Sequence, residues 1–225
     1  MRPRIGLQAL ILAVTLVVAF SANVNAAIIP YPNVGTPNPI TYSFIASGNG
    51  PIVAYFAGTG ASYTESVGMY VNGVLSPNGF GLDNQTSSIG ESFDMGNVTA
   101  GESIVFAIQV VNLGNAIAYS DPSLNVPYDS LDGGGNVANH NHVYSVAYDA
   151  SSGLLSPSIP SGTYVAFEDL PFPNSDYNYF DETYVFTNVS AASPASVPEP
   201  ASLIAWLLLG GFAIGLGWLR KRKAA

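Results

Sequence analysis

Between residues 27 and 197 the chain contains no lysine and no arginine. Fourteen of its fifteen acidic residues lie in that stretch. A body built this way has no side-chain cation to offer its carboxylates except two histidines, His140 and His142. Its acids must therefore stay solvated, take hydrogen bonds or meet metal cations, because an unpaired charge is costly to bury. The same feature removes whole classes of function. Phosphate contacts to nucleic acid need Lys or Arg, so no nucleic acid is expected as a partner. A phosphate-binding P-loop lacks its lysine. Lysine Schiff-base chemistry is impossible in the body. The chain also has no Cys, which excludes disulfides and thiolate metal sites.

The six basic residues stand at the two ends. Arg2 and Arg4 precede an apolar run over 5–20, and Ser-Ala-Asn-Val-Asn-Ala follows. This is the layout of an export signal, with Val24 and Ala26 at the −3 and −1 positions, so cleavage is expected after Ala26. At the other end, 193–200 is a Pro/Ala/Ser linker and 201–219 carries no charge. Nineteen helical residues span about 28 Å, close to a hydrocarbon core of roughly 30 Å. Arg220, Lys221, Arg222 and Lys223 follow at once and place the C-terminus in the cytoplasm by the positive-inside rule. The body is then expected outside the cytoplasm. The division is 1–26 signal, 27–192 body, 193–200 linker, 201–219 membrane helix and 220–225 basic tail.

Val197-Pro198-Glu199-Pro200, the apolar helix and the basic cluster stand in the order of the PEP-CTERM sorting signal of Gram-negative bacteria, which this tail resembles. The resemblance implies that Pro198, Glu199 and Pro200 are recognised by an exosortase after export by the Sec machinery. It implies a chain held briefly in the inner membrane, with its body in the periplasm, and then passed to the cell surface or released. Exopolysaccharide or biofilm matrix is the implied setting. A plain C-terminal anchor behind a proline-rich stalk is the other reading of the same residues.

The body is rich in Gly, Pro, Asn, Ser, Thr and Tyr, with short apolar or alternating runs between turn signals. That pattern predicts an all-β fold, an antiparallel β-sandwich of jelly-roll-like form. Strands are expected over 40–46, 52–56, 67–75, 103–111, 142–148, 163–167 and 183–189. Asn72-Gly73 inside the third is a strong hairpin signal. The run over 103–111 is apolar enough for a central strand buried on both faces. Long loops are expected over 83–101 and 118–141.

The densest chemistry lies in 162–189. Glu168, Asp169, Asp176, Asp181 and Glu182 fall within fifteen residues, with Asn178 among them. Flanking strands, paired antiparallel, would bring the two ends of this segment together. Calcium accepts six to eight oxygen ligands in irregular geometry, and magnesium is more demanding. Glu168, Asp169, Asp176, Asn178, Asp181 and Glu182 are the candidate calcium ligands. The alternative is a solvated turn whose side chains satisfy backbone amides. Neighbours in a strand point to opposite faces, so Glu168 and Asp169 can share a site only where the strand ends.

Phe167-Glu168-Asp169, Asp176-Tyr177-Asn178 and Tyr184-Val185-Phe186, preceded by Asn141-His142-Val143-Tyr144, resemble an exported bacterial domain, domain of unknown function 4114. Here Tyr179-Phe180 displaces the next Asp by two positions. The resemblance implies an acidic, calcium-directed segment and carries no enzymatic activity.

His140 and His142 would share one face of a strand, as in some zinc and copper sites. No motif supplies a third ligand, and a pair of exposed histidines at a loop edge is expected. No nucleophile elbow is present. The sequence thus predicts a surface-directed structural or adhesive protein, with calcium as its one candidate cofactor. A carbohydrate-active hydrolase or a carbohydrate-binding module on the same sandwich is the alternative.

Overall fold

Short runs in which every second residue is apolar favour paired strands over helices. The computed structural model describes residues 28–132 and 140–192. Eleven strands form among them: β1 Ser43–Ala46, β2 Gly50–Thr59, β3 Glu65–Val71, β4 Val74–Gly81, β5 Ser92–Val98, β6 Ser103–Val110, β7 Ala116–Tyr119, β8 Val143–Tyr148, β9 Gly162–Phe167, β10 Glu182–Phe186 and β11 Val189–Ala192. One sheet has the order β11-β1-β6-β3-β4, with β7 also on β6. The second has the order β5-β2-β10-β9-β8. Every pairing is antiparallel. The all-β antiparallel sandwich expected from the sequence is therefore present. The only α-helix among the described residues is a single turn, α1, Val126–Asp129.

The inner faces meet in one core. Phe44, Met69, Ile104, Phe106 and Ile108 come from the first sheet, and Ile52, Phe56, Val165, Phe167, Tyr184 and Phe186 from the second. Phe106 stacks on Phe186 across the gap, with centroids 3.8 Å apart. A second apolar cluster covers the outer face of the second sheet, with Tyr144, Tyr164 and Val185 beneath Tyr31, Ile159 and Tyr179. Strands β9 and β10 are thus buried on both sides. Successive residues alternate between the two clusters: Tyr164 outward, Val165 inward, Ala166 outward, Phe167 inward. This parity continues into the acids that follow.

Several boundaries differ from the sequence expectation. The span 67–75 is two strands: Asn72 and Gly73 turn the chain with φ of 50° and 82°, and β4 runs on to Gly81. The expected loop 83–101 contains β5, and 118–141 begins within β7 and continues into α1. The span 183–189 is broken at Asn188, φ 60°, which carries the chain from β10 in one sheet to β11 in the other. Strand β6 is central, but its outer face is only half-buried at Val105 and Gln109. Among the described residues no helix is long and apolar enough to cross a membrane. The expected export signal with Ala26, the motif Pro198-Glu199-Pro200, the helix 201–219 and the cluster Arg220–223 lie outside the described residues.

Candidate metal centre

Strands β9 and β10 pair with Phe167 opposite Glu182, so the acidic segment between them leaves and re-enters the sheet at one end. The loop 168–181 is pinned there. Tyr179 is fully buried in the outer cluster, and its hydroxyl receives the Asn38 amide at 2.8 Å and donates to Asn141 O at 3.0 Å. Tyr177 and Tyr179 both have φ of 54°, a left-handed conformation on either side of Asn178. Asp176 Oδ1 accepts from the Asn178 amide at 3.0 Å, and Asn178 Oδ1 accepts from the Phe180 amide at 2.9 Å. Phe180 lies against Gly60, where a Cβ would stand 2.0 Å from its ring, so glycine is required for this approach.

Parity sorts the candidate ligands. Phe167 points inward, so Glu168 follows on the outer side and Asp169 on the inner. Tyr184 points inward, so Glu182 does too and Asp181 does not. Glu168, Asp176 and Asp181 accordingly converge, each offering a carboxylate oxygen, all within 4.8 Å of one another. No other group of three or more such side chains converges this closely among the described residues. Glu168 and Asp181 are buried, and Asp176 is exposed. Glu168 Oε1 accepts from the Leu170 amide at 3.3 Å, while its Oε2 is buried without a partner. Asp181 Oδ2 accepts from the Asp169 amide at 3.2 Å. An open cleft of about 400 Å³ reaches this end of the sandwich, lined by Asp169, Asp176, Asn178 and Asp181 with Tyr63 and Phe180.

The remaining candidates are placed differently. Asn178 touches Asp176 through its amide nitrogen, 2.8 Å from Oδ2, and its oxygen is already engaged by Phe180. Asp169 and Glu182 lie on the inner side, where Glu65 meets them from β3. Asp176 and Asn178 do serve backbone amides, as the turn reading expected, yet Asp176 also reaches the cluster.

The electrostatics follow from burial. Glu168 is pushed up to about 8, first by desolvation and then by Asp181 and Asp176. Asp181 is pushed up to about 7 by desolvation and by Asp169. Glu65 rises to about 11, chiefly by desolvation and by its contact with Asp169. Glu182, fully buried, is also raised well above the ordinary carboxylate range, by desolvation first. Carboxyls in such a place must take up either protons or a cation.

The histidines are not the exposed pair the sequence suggested. His142 is 1% exposed, and its two ring nitrogens face Asp129 Oδ1 at 2.8 Å and Glu168 O at 3.0 Å. His140 stacks on Phe172 with centroids 3.9 Å apart, its Nδ1 3.5 Å from Asp129 Oδ2. Sequence reasoning missed Asp129 and Glu65. The signal for Glu65 was available, since it heads the alternation Glu65-Ser66-Val67-Gly68-Met69 with the parity of the core residues Val67 and Met69. Asp129 had no such signal, because it sits in a one-turn helix inside an expected loop. A scan against family models and searches of curated proteins and of solved structures return no match to this chain.

Proposed function

We propose that this is an exported, cell-surface-directed structural or adhesive protein, sorted by its PEP-CTERM-like tail, whose sandwich is locked at one end by calcium bound to Glu168, Asp176 and Asp181. The observation that carries the calcium reading is the convergence of these three carboxylates around a buried Glu168 oxygen that has no partner. In a body without Lys or Arg, no side-chain ammonium or guanidinium can fill that role. Calcium fits better than magnesium because the set mixes buried and exposed oxygens in irregular geometry, and water from the cleft can complete a shell of six to eight. The cation binds the folded form and stabilises it by mass action. A jelly-roll-like description draws support from the nested pairings of β1 with β11 and β2 with β10. Sorting is supported by the order of motif, apolar stretch and basic cluster over 197–223. The resemblance to domain of unknown function 4114 agrees with the acidic segment.

Two experiments test the two halves separately. The melting temperature of the purified chain, in mild detergent, is measured in chelator and in millimolar calcium, with magnesium at matched ionic strength as control. A calcium-specific rise that Asp181→Asn abolishes is expected, and equal responses to both metals would overturn the calcium reading. In cells, replacing Pro198, Glu199 and Pro200 by alanine should leave full-length chain in the inner membrane. Normal processing of that variant would sink the sorting reading.

A further inference from the structure

On the outer face of the first sheet, Tyr70 of β3, Val105 of β6, and Ile117 and Tyr119 of β7 alternate with the core residues Met69, Ile104, Phe106 and Ala118, and so point away from the core. Tyr70 and Tyr119 meet edge to face across β6, with centroids 5.4 Å apart. With Leu124 and Leu131, both about half exposed, these residues line an open groove of about 570 Å³. Among the described residues no charged side chain lines it. Strands β1 and β7 share the edge of β6 opposite β3, and they part at Val105 and Phe106. A smaller hollow of about 130 Å³ opens in that fork, between Ser43 and Ser120, and adjoins the groove at Val105.

Strand β11 ends beside this track. Ala192 stands opposite Ser43, the register of β1 on β6 sets Ser43 level with Val105, and Val105 is opposite Tyr70. Three strand spacings, about 14 Å, thus separate Ala192 from Tyr70. Val189 points into the core, so Ala192 has the parity of the groove side. Ser193-Pro194-Ala195-Ser196-Val197-Pro198-Glu199-Pro200 follows, outside the described residues. Eight residues in a polyproline II helix reach about 25 Å, enough to cross the groove. With three residues per turn, such a helix sets Ser193, Ser196 and Glu199 on one edge. Pro194, Val197 and Pro200 fall on the second, and Ala195 and Pro198 on the third. One edge is wholly polar and two are apolar. Proline-rich segments of this form dock in aromatic-lined grooves, because their backbone has little entropy left to lose.

We propose that residues 193–200 dock across this groove, with Pro194, Val197 and Pro200 packed among Tyr70, Tyr119, Leu124 and Leu131, and Ser193, Ser196 and Glu199 turned to solvent. Glu199 needs that solvent, since the body offers no Lys or Arg. Tethered this close, the segment has an effective concentration on the order of millimolar. A second copy would bring a second acidic body against the first. Docking partly covers Pro198 and Pro200 with the domain they follow. It concerns where the segment lies, and depends on neither the sorting nor the calcium reading.

The chain has no cysteine, so spin labels can be placed selectively. Labels at Ser196→Cys, on the polar edge, and at Ser123→Cys, exposed beside Leu124, report the distance from the segment to the groove rim. It is read by pulsed dipolar spectroscopy on the full chain in phosphatidylcholine vesicles. One narrow distance distribution is expected. Val197→Asp, which puts a charge on the docking face and leaves the body's sequence unchanged, should broaden it several-fold. Leu124→Asp on the rim should do the same, and Leu131→Asp repeats that test if the first variant fails to fold. A parent distribution as broad as that of Val197→Asp overturns the proposal. A narrow distribution that a folded rim variant leaves unchanged also overturns it, because the segment is then fixed elsewhere. With Ser123→Cys as the single label, coupling between chains would put a second copy in the groove, and relaxation by oxygen dissolved in the bilayer would put the lipid surface there; either result overturns it.

Discussion

Asp129 shows how one carboxylate can be kept charged in a body without lysine or arginine. It is fully buried, and it accepts from His142 Nε2 at 2.8 Å and from the amides of Phe172 and His140 at 3.2 Å each. Burial works to raise this carboxyl, but the His142 hydrogen bond and charge, with the two amides, bring it below its ordinary value. A carboxyl held low contributes stability that is present at neutral pH and lost as pH falls below about 4. Asp129→Asn keeps the shape but presents an amide nitrogen where donors already point. It should cost about 2 kcal/mol, as leaving buried donors without their acceptor does, read from the urea midpoint at pH 7. The loss should be smaller at pH 3 than at pH 7, because the stability that the lowered Asp129 carboxyl contributes is lost progressively as pH falls below about 4. An equal loss at both pH values would show that the charge of Asp129 contributes nothing.

Elements were legible where their signal was local. Asn72-Gly73 gave the β3–β4 hairpin, because only residues tolerant of positive φ close a two-residue turn of this hand. Gly73→Ala should cost about 1 kcal/mol in the same unfolding measurement, since φ of 82° excludes a comfortable Cβ although nothing stands within 4 Å of it. Strand β5 was illegible. In Ser92-Phe93-Asp94-Met95-Gly96-Asn97-Val98 only Met95 and Val98 are buried, and the strand exists because β2 offers it a pairing edge. Asn188 likewise interrupts an apolar run that reads as one strand, and its left-handed φ with side-chain contacts to Gly48 and Gly50 comes from tertiary context. In the acidic segment, composition marked the fifteen residues within which Glu168, Asp176 and Asp181 converge. Their division into outer and inner sets needed the register of β9 against β10, which spacing alone does not give. Glu168→Gln tests that division. It removes a buried carboxyl pushed up to about 8, so the cation-free melting temperature at pH 8 should rise while the response to calcium falls. A lower melting temperature in chelator would mean that Glu168 is stabilising by itself.

For the whole molecule, the raised carboxyls at one end set an unusual dependence on pH. Glu168 at about 8 and Asp181 at about 7 hold protons in the folded form that the unfolded chain has released by about pH 5. The cation-free fold therefore binds more protons than the unfolded chain, and its stability falls as pH rises from 5 to 8. Calcium must displace those protons, so its stabilising increment grows over the same range. Melting curves at pH 5.5 and pH 8 should show the chelated chain more stable at the lower pH, and the calcium-induced rise larger at the higher. A calcium increment that shrinks with rising pH would contradict this coupling.

The pairing of β11 with β1 carries a consequence for a chain held by its C-terminus. Strand β11 is an edge strand whose last residue, Ala192, stands opposite Ser43, the first residue of β1. Tension through the tail reaches that pair before any other. It would open the β1–β11 ladder one rung at a time, as a zipper, rather than load all its hydrogen bonds at once. The four residues of β11 would yield first, sparing the aromatic core and the carboxylate end, so in a chain pulled from that end the domain would have a built-in mechanical fuse.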